Sequence, residues 1–389
     1  MPINTHRVGW DDDPVVTSWP GLGRLESDLT ADACVVGLGG SGLAAVAELT
    51  DRGLSVVGID AGRIAAGAAG RNGGFLLAGP SSFLHRSLAL WGEAAISLYR
   101  ATLDELDHLG RLLGEDVIRR TGSLRLAGLP GRVRDDAEAA DREAEIADCG
   151  KLAATLRDHG IAVEDYEGPL GRGIYLPDDA AMNPVRRALG MASLLRSRAA
   201  LFENTAAVRI DSGRVTTATG RISAPLILVA VDGRLEQVLP DLAGRVRTSR
   251  LQMARTEPVA TTDLPCPVYC RWGFDYGQQD ARGRLYVGGG RDRYIDEEWT
   301  LDDTPTPVVQ KHIESVAERL AGRPVTVTDR WGASVGFTED GRPLCTEVAP
   351  GVVAFGGYSG TGNLVGPVTA RAAVALALDG TPVPGYLNG

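Results

Sequence analysis

Ala33-Cys-Val-Val-Gly37-Leu-Gly39-Gly40-Ser41-Gly42-Leu-Ala-Ala-Val-Ala-Glu-Leu-Thr-Asp-Arg-Gly-Leu-Ser-Val-Val-Gly-Ile-Asp60 is the stretch whose reading decides the fold. Residues 33–36 form an apolar run that reads as a buried strand, and residues up to 52 form an alanine-rich helix. Gly37, Gly39 and Gly42 between them have the G-x-G-x-x-G spacing. A second apolar run, residues 54–59, closes a strand-helix-strand unit. Gly37 permits the tight turn, Gly39 lets backbone approach a pyrophosphate, and Gly42 lets helix and strand pack closely. Asp60 ends the second strand about 20 residues on, where an acid hydrogen-bonds a ribose hydroxyl. The chain has 50 glycines, so the spacing alone is a weak signal. The order of strand, glycines, helix, strand and acid carries the reading. These glycines do not decide between NAD and FAD.

Working outward, the next segment runs Ala61-Gly-Arg63-Ile-Ala-Ala-Gly-Ala-Ala69-Gly70-Arg71-Asn72-Gly73-Gly74. A loop with so little side-chain bulk presses its backbone against a large flat ligand. The C-terminal end repeats the theme. A strand over residues 351–355 leads to Gly356-Gly357-Tyr358-Ser359-Gly360-Thr361-Gly362 and then an apolar helix over residues 365–378. Two helix N-termini behind glycine loops can grip both ends of one long cofactor.

Between these ends, residues 88–113 and 133–159 show helical patterns, with a strand over 121–126. The Asp and Glu residues of the second helix read as a solvated face. A helix is expected from Pro184 to Ala200, then short strands over 208–210, 215–219 and 226–231. The last is apolar on both faces, as a central parallel strand is. Strands over 268–276 and 284–290, joined by a charged hairpin, suggest an antiparallel region, and residues 305–320 a helix.

The chain has 389 residues, enough for two domains. A net charge of −10 argues against nucleic acid or an anionic membrane as partner. Residues 1–30 are polar and include Asp11-Asp12-Asp13, and no apolar run has membrane-spanning length. The expectation is a cytoplasmic protein without signal peptide or membrane span. Cys34, Cys149, Cys266, Cys270 and Cys345 lack zinc spacing. His6, His85, His108, His159 and His312 show no ligand pattern either, so reduced cysteines and no metal are expected.

With these motifs in hand, the chain resembles the FAD-dependent D-amino acid oxidase superfamily, in the branch similar to γ-glutamylputrescine oxidase and glycine oxidase-like amine oxidases. The resemblance rests on Ser18-Trp-Pro20, the fingerprint above, Ala69-Gly-Arg-Asn-Gly-Gly74, Met182-Asn-Pro184, Asp275-Tyr276 with Gly288-Gly-Gly290, and Gly357-Tyr-Ser-Gly-Thr-Gly362. It implies FAD as cofactor, held by Gly37, Gly39, Gly40, Ser41, Gly42, Asp60, Ala61 and Arg63. It adds Ala69, Gly70, Arg71, Asn72, Gly73 and Gly74 along the flavin ring and the Val208 backbone at the adenine. Gly357, Ser359, Gly360, Thr361, Gly362 and Asn363 are placed at the pyrimidine side. Where covalently linked relatives carry a cysteine, this chain has Ala333, so the FAD is expected to be non-covalent.

The implied fold is α/β: a Rossmann-like FAD-binding domain (residues 1–80, 171–240 and 325–389) and an antiparallel-sheet substrate domain (81–170 and 241–324). The implied reaction is oxidation of a C–N bond in a small amine or amino acid, by hydride transfer to flavin N5. The imine then hydrolyses, with O2 or another acceptor taking the electrons. Tyr276, Gln278, Arg71 and Tyr358 are the expected catalytic residues. A hydroxylase or C=C reductase, and a non-catalytic FAD-binding subunit, stay open at this level. If residues 268–278 form one strand, Tyr276 and Gln278 share the substrate face and Arg271 points away. Gln278 stands where relatives carry a carboxylate-binding arginine. The expected substrate is therefore an amine whose carboxylate is absent, distant or masked, or a larger amine-bearing metabolite; in the alternative, Arg71, Arg291 or Arg293 supplies the charge from another loop, or a bulge turns Arg271 inward.

Overall fold

The computed structural model describes residues 7–259 and 264–389; His6 lies outside them. Four strands that read as apolar runs build the centre. Ala33–Val36, Val56–Ile59, Leu226–Val229 and Val352–Gly356 are buried along their whole length. The six-stranded sheet runs in the order Ala200–Phe202, Val56–Ile59, Ala33–Val36, Leu226–Val229, Val352–Gly356, Leu344–Ala349. Its first five strands are parallel and the last is antiparallel.

One face of this sheet carries the helices Gly40–Asp51, Pro184–Leu195 and Gly362–Asp379, packed through Leu43, Val46, Leu189 and Val374. The other face is covered by a four-stranded sheet, whose Val215 and Ile222 meet Cys34, Val36 and Ile227. Burial on both sides explains why these central strands show no alternation.

The eight-stranded sheet runs in the order Val327–Phe337, Arg247–Pro258, Arg284–Gly289, Asp275–Gln279, Val268–Cys270, Ser123–Leu126, Gly171–Leu176, Glu164–Gly168. Only the Val268–Cys270 pairing with Ser123–Leu126 is parallel among the described strands. Helix Pro307–Ala321 covers one face, with Ile313 and Val316 on Val268 and Val287. Sheet membership crosses the segment boundaries read from the sequence. Gly171–Leu176 and Val327–Phe337, grouped there with the glycine loops, are strands of this second sheet.

Several other expectations are corrected. The helix over 88–113 is two, Leu84–Trp91 and Ala94–Leu113, separated at Gly92 with φ +59°. The stretch 268–278 is not one strand. It breaks at Arg271–Gly273, where Arg271 and Trp272 both have positive φ (51° and 55°).

The tight contact at the fingerprint fixes how helix Gly40–Asp51 lies on the sheet. A Cβ on Gly42 would stand 1.8 Å from the Gly37 carbonyl oxygen. Gly37 itself has φ +94°, and a Cβ there would lie 2.7 Å from the Ala230 carbonyl oxygen. Both glycines are demanded by the protein itself. Gly42→Ala is therefore expected to destabilise the fold by at least about 3 kcal/mol, by forced overpacking against backbone. A thermal melt within about 2 °C of the parent would contradict this.

Candidate active site

The face of the eight-stranded sheet opposite helix Pro307–Ala321 looks across a cavity of about 1080 Å³ at the glycine loops. Gly37, Gly39, Gly40, Ser41, Asp60 and Ala61 line one end. Ala69, Arg71, Asn72 and Gly73 line its side, and Tyr358, Ser359, Gly360, Thr361, Gly362 and Asn363 another wall. Helices Gly40–Asp51 and Gly362–Asp379 both begin at this cavity, and neither has a side-chain cap. Their first N–H groups and the positive ends of their dipoles are thus left for a ligand. Gly39 differs from Gly37 and Gly42: a Cβ there would meet only the Ala69 Cβ, at 3.6 Å. No protein atom forbids a small side chain at Gly39, so its bareness serves the cavity.

Asp60 accepts the Leu38 N–H at 2.8 Å on Oδ2 and the Gly62 N–H at 2.9 Å on Oδ1. Burial raises its pKa and these two N–H groups pull it back down. Each oxygen keeps acceptor capacity for a hydroxyl.

Not every sequence-predicted residue reaches the cavity. Gly42, Gly70, Gly74 and Gly357 do not line it. A Cβ on Gly70 would lie 2.1 Å from the Ala65 carbonyl oxygen, so that glycine serves packing. Arg63 bonds Asp11 instead. Val208, at a register irregularity between Ala207 and Arg209, is 69% exposed and does not line the cavity; Thr205, Ala206 and Ala207 do.

The Arg71–Gly74 backbone is pinned by donors from separate elements. Trp331 Nε1 donates to the Arg71 carbonyl at 2.8 Å and Trp10 Nε1 to the Asn72 carbonyl at 3.0 Å. Gln278 Nε2 donates to the Gly73 carbonyl, and Asn72 Oδ1 accepts the Gly74 N–H at 2.8 Å. Asn363 Nδ2 reaches the Phe75 carbonyl at 2.8 Å and Asn72 Oδ1 at 3.1 Å, tying this loop to the C-terminal helix. Asp232 does the same for the C-terminal loop, accepting N–H groups from Gly336, Gly357 and Tyr358. Sequence reasoning missed Trp10, Trp331 and Asp232.

Gln278 is thereby corrected from a substrate residue to a positioning one. It is on the same sheet face as Tyr276, as alternation requires, but only 2% exposed and not among the residues that line the cavity. Arg119 Nη2 donates to its other atom, Oε1, at 3.2 Å. Tyr276 does line the cavity. Its ring stacks on Tyr269 (5.4 Å between centroids) and meets Phe75 edge-on at 5.6 Å. Tyr358 lines it too, with its hydroxyl buried and unpartnered. Arg71 lines it, but its Nη1 is paired with Asp303 at 2.7 Å and the Gly332 carbonyl at 3.1 Å.

Arg271 faces away, as expected, bonded to Asp275 and Asp292. Burial pushes the Asp275 carboxyl up, but His312 and Arg271 outweigh it and hold the pKa below the ordinary value. The strained Arg271-Trp272 turn puts Trp272 on the cavity wall. Two acids of helix Asp136–Asp158 hold it: Glu145 accepts the Trp272 backbone N–H, and Asp148 accepts Trp272 Nε1 at 2.9 Å. Glu145 is 2% exposed and Asp148 8%, so this part of the helix is not the wet face that its charge suggested. Among the described residues no His, Cys, Asp or Glu cluster suits a metal, and all five cysteines are buried and unpaired.

A strand-glycine-helix fingerprint, a second uncapped helix end and a joining cavity define a dinucleotide-binding enzyme of the flavoprotein kind. The model of the family described as DAO, FAD dependent oxidoreductase, matches residues 32–376, and the chain belongs to that family. It is 27% identical over 385 residues to a probable oxidoreductase OrdL of Rhizobium meliloti (strain 1021), covering 90% of this chain and 83% of that one. It is 26% identical over 364 residues to gamma-glutamylputrescine oxidoreductase of Escherichia coli (strain K12), covering 87% and 81%. The fold is similar to that of glycine oxidase from Geobacillus kaustophilus, with TM-score 0.71, 19% identity, and 91% and 96% of the chains covered. The residues present fit FAD: uncapped N–H groups for its phosphates, a free acceptor at Asp60, and a bare loop beside an aromatic wall. FAD is the cofactor of this oxidoreductase. Among the described residues no cysteine or histidine lines the cavity, so it offers neither side chain for a flavin linkage.

Gly39→Val is expected to fold, with a melt close to that of the parent apoprotein, yet to purify without flavin absorbance. A fully yellow Gly39→Val protein would contradict the assignment of the pyrophosphate end.

Burial raises the Glu145 pKa from 4.5 to about 7 against the opposing backbone N–H groups of Trp272 and Gly128. An acid with a raised folded-state pKa gives stability that is complete below its unfolded value and lost as pH climbs through the folded one. Relative to Glu145→Gln, the parent should therefore lose about 3 kcal/mol between pH 4.5 and 7. Urea unfolding of both proteins across that range checks the slope, and parallel curves would contradict it.

Proposed function

We propose that this FAD-dependent enzyme oxidises the C–N bond of an amine or amino acid bound between the Tyr269/Tyr276 wall and the Arg71–Gly74 loop. The observation that carries the reading is the composition of that space. It joins a bare, pinned glycine loop to an aromatic wall without any histidine or cysteine among its described lining residues. Bound FAD supplies a two-electron acceptor. The substrate loses two electrons and two protons, and water splits the resulting imine into a carbonyl compound and ammonia or an amine.

The protein's part is placement. The backbone of residues 71–74 is fixed by Trp331, Trp10 and Gln278, so its position costs no reorganisation during the reaction. Phe75, Tyr269 and Tyr276 exclude water from one side. Burial raises the Tyr269 pKa to about 12 and Tyr276 also upward, so both phenols stay neutral donors at physiological pH. The uncapped helix end at Gly362 faces the cavity with fixed donors where negative charge can develop. O2 is the electron acceptor in this reading.

An anaerobic panel of amines and amino acids, followed by flavin absorbance, is expected to contain members that bleach the visible band of the oxidised flavin. Readmitted O2 should restore the band with one peroxide per turnover, and acid precipitation should leave the flavin in the supernatant. Bleaching by NAD(P)H alone, with no amine effective, would overturn the reading in favour of a hydroxylase or reductase.

A further inference from the structure

Six arginines line the cavity, as do six acids, Asp60, Asp232, Glu298, Asp303, Glu339 and Asp340, but the two sets are not paired one to one. Of the arginines that line it, Arg71 is paired with Asp303, Arg86 with Asp148, Arg187 bonds the Asn363 carbonyl, and Arg234 bonds Ser334. Arg125 and Arg291 also line it, and among the described residues neither guanidinium has a hydrogen bond or ion pair. Arg125 Nε is buried without a partner, and the guanidinium lies 5.7 Å from the Tyr269 ring centre and 5.5 Å from that of Phe83. The acid that senses it, Asp179, already accepts from Ser123 Oγ and the Ala78 N–H. Arg291 lies 4.3 Å from the Phe337 ring centre and 5.7 Å from that of Trp299. Its neighbour Asp292 is taken by Arg271, and Glu298 by Arg250 and Gln252. Ring faces offset part of a cation's charge, but they satisfy none of the five N–H donors of a guanidinium in the directed way an oxyanion does.

The two groups form separate sites. Arg125 is on Ser123–Leu126 in register with Tyr269, Tyr269 pairs with Tyr276, and Tyr276 pairs with Gly288. Arg291 follows the end of that last strand. The order across the sheet face is thus Arg125, Tyr269, Tyr276, Gly288, three strand steps of roughly 4.8 Å each, and Arg291 stands in the turn that follows the last of these strands. The guanidiniums rest on different aromatic pairs, on either side of the tyrosines. One α-carboxylate fits one of them bidentately and leaves the other bare.

We propose that the substrate is an amine bearing two carboxylates, one held by Arg125 and the other by Arg291, with the carbon to be oxidised between them at the tyrosine wall. This rests on the amine-oxidation reading above and narrows its substrate class. It also replaces the sequence-based expectation of an absent or masked carboxylate, which depended on Gln278 facing the substrate.

Equilibrium binding tests the proposal without turnover. The FAD-loaded enzyme is titrated with straight-chain dicarboxylates from succinate to suberate, and with monocarboxylates of matching chain length, while perturbation of the flavin spectrum is recorded. At one chain length the dicarboxylate should bind on the order of 100-fold tighter than its monocarboxylate partner. Arg125→Met and Arg291→Met should each remove that advantage while leaving monocarboxylate binding within about threefold, and Lys at either position should restore part of it. FAD content and melting temperature report whether each variant folds; if the Met variants do not, the parent's series decides alone. No advantage at any chain length, or an advantage that survives both Met variants, overturns the proposal. Binding as expected in an enzyme that no amine reduces would leave the two-carboxylate site standing and remove the amine-oxidation reading.

Discussion

Two helices that begin without side-chain caps at one cavity set the terms for the rest of the molecule. Asp13, Asp135 and Asn183 cap other helices of the fold through their side chains, as Asn183 does for Val185 and Arg186. Gly39 makes no side-chain cap, and Thr361, which could make one, turns its hydroxyl to the Tyr358 carbonyl at 2.8 Å. Holding two such ends together requires close helix packing. The missing Cβ of Gly42 allows it on the sheet side, and Asn72 and Asn363 latch the two loops across the gap.

The second sheet completes the site through simple alternation. Residues in register across its central strands share a face, so Arg125, Tyr269 and Tyr276 meet the cavity while Asp275 and Gly277 turn to helix Pro307–Ala321. A Cβ on Gly277 would lie 2.6 Å from Leu320 Cδ1, and one on Gly288 would lie 2.5 Å from the Tyr276 ring. Small residues on both faces thus set how near the helix comes and how flat the tyrosine lies. The Arg271-Trp272 turn breaks the alternation and needs buried acids to hold it. That strain is located where the wall must bend around a ligand.

The central strands, both glycine loops and the resemblance they support were legible because backbone geometry dictates glycine and apolar runs locally. What was not legible depends on register and on contacts distant in sequence. The cavity is lined by Thr205, Ala206 and Ala207 and not by Val208, which lies at a bulge that its sequence does not announce. Gln278 was assigned to the correct face, but the sequence does not show that residues 73 and 182 close over it. Glu145 and Asp148 sit in a helix charged on most sides, and only the turn at Trp272 decides which charges are buried. Arg291 was one of three arginines that the sequence offered as a source of positive charge, but Arg125 belongs to no local motif; what singles out both is the absence of side-chain partners, a three-dimensional property.

Arg187 carries the electrostatic argument one step further. It is buried between the two helix ends, with Nη2 on the Asn363 carbonyl at 3.0 Å and Nη1 in the space that a Cβ on Gly40 would fill. Its Nε has no partner, and burial lowers its pKa to about 10. Glu105 opposes that shift, yet Glu105 is itself bonded to Arg371. One buried cation and two uncapped helix ends therefore add their fields at the same part of the cavity, and the acids beside the two loops, Asp60 and Asp232, are already engaged by backbone N–H groups. A fold with this arrangement holds its positive potential at a cost in desolvation, which an anionic ligand offsets on binding. By linkage, the same anion that the site recognises then stabilises the native chain, so that cofactor capture and folding stability rise together.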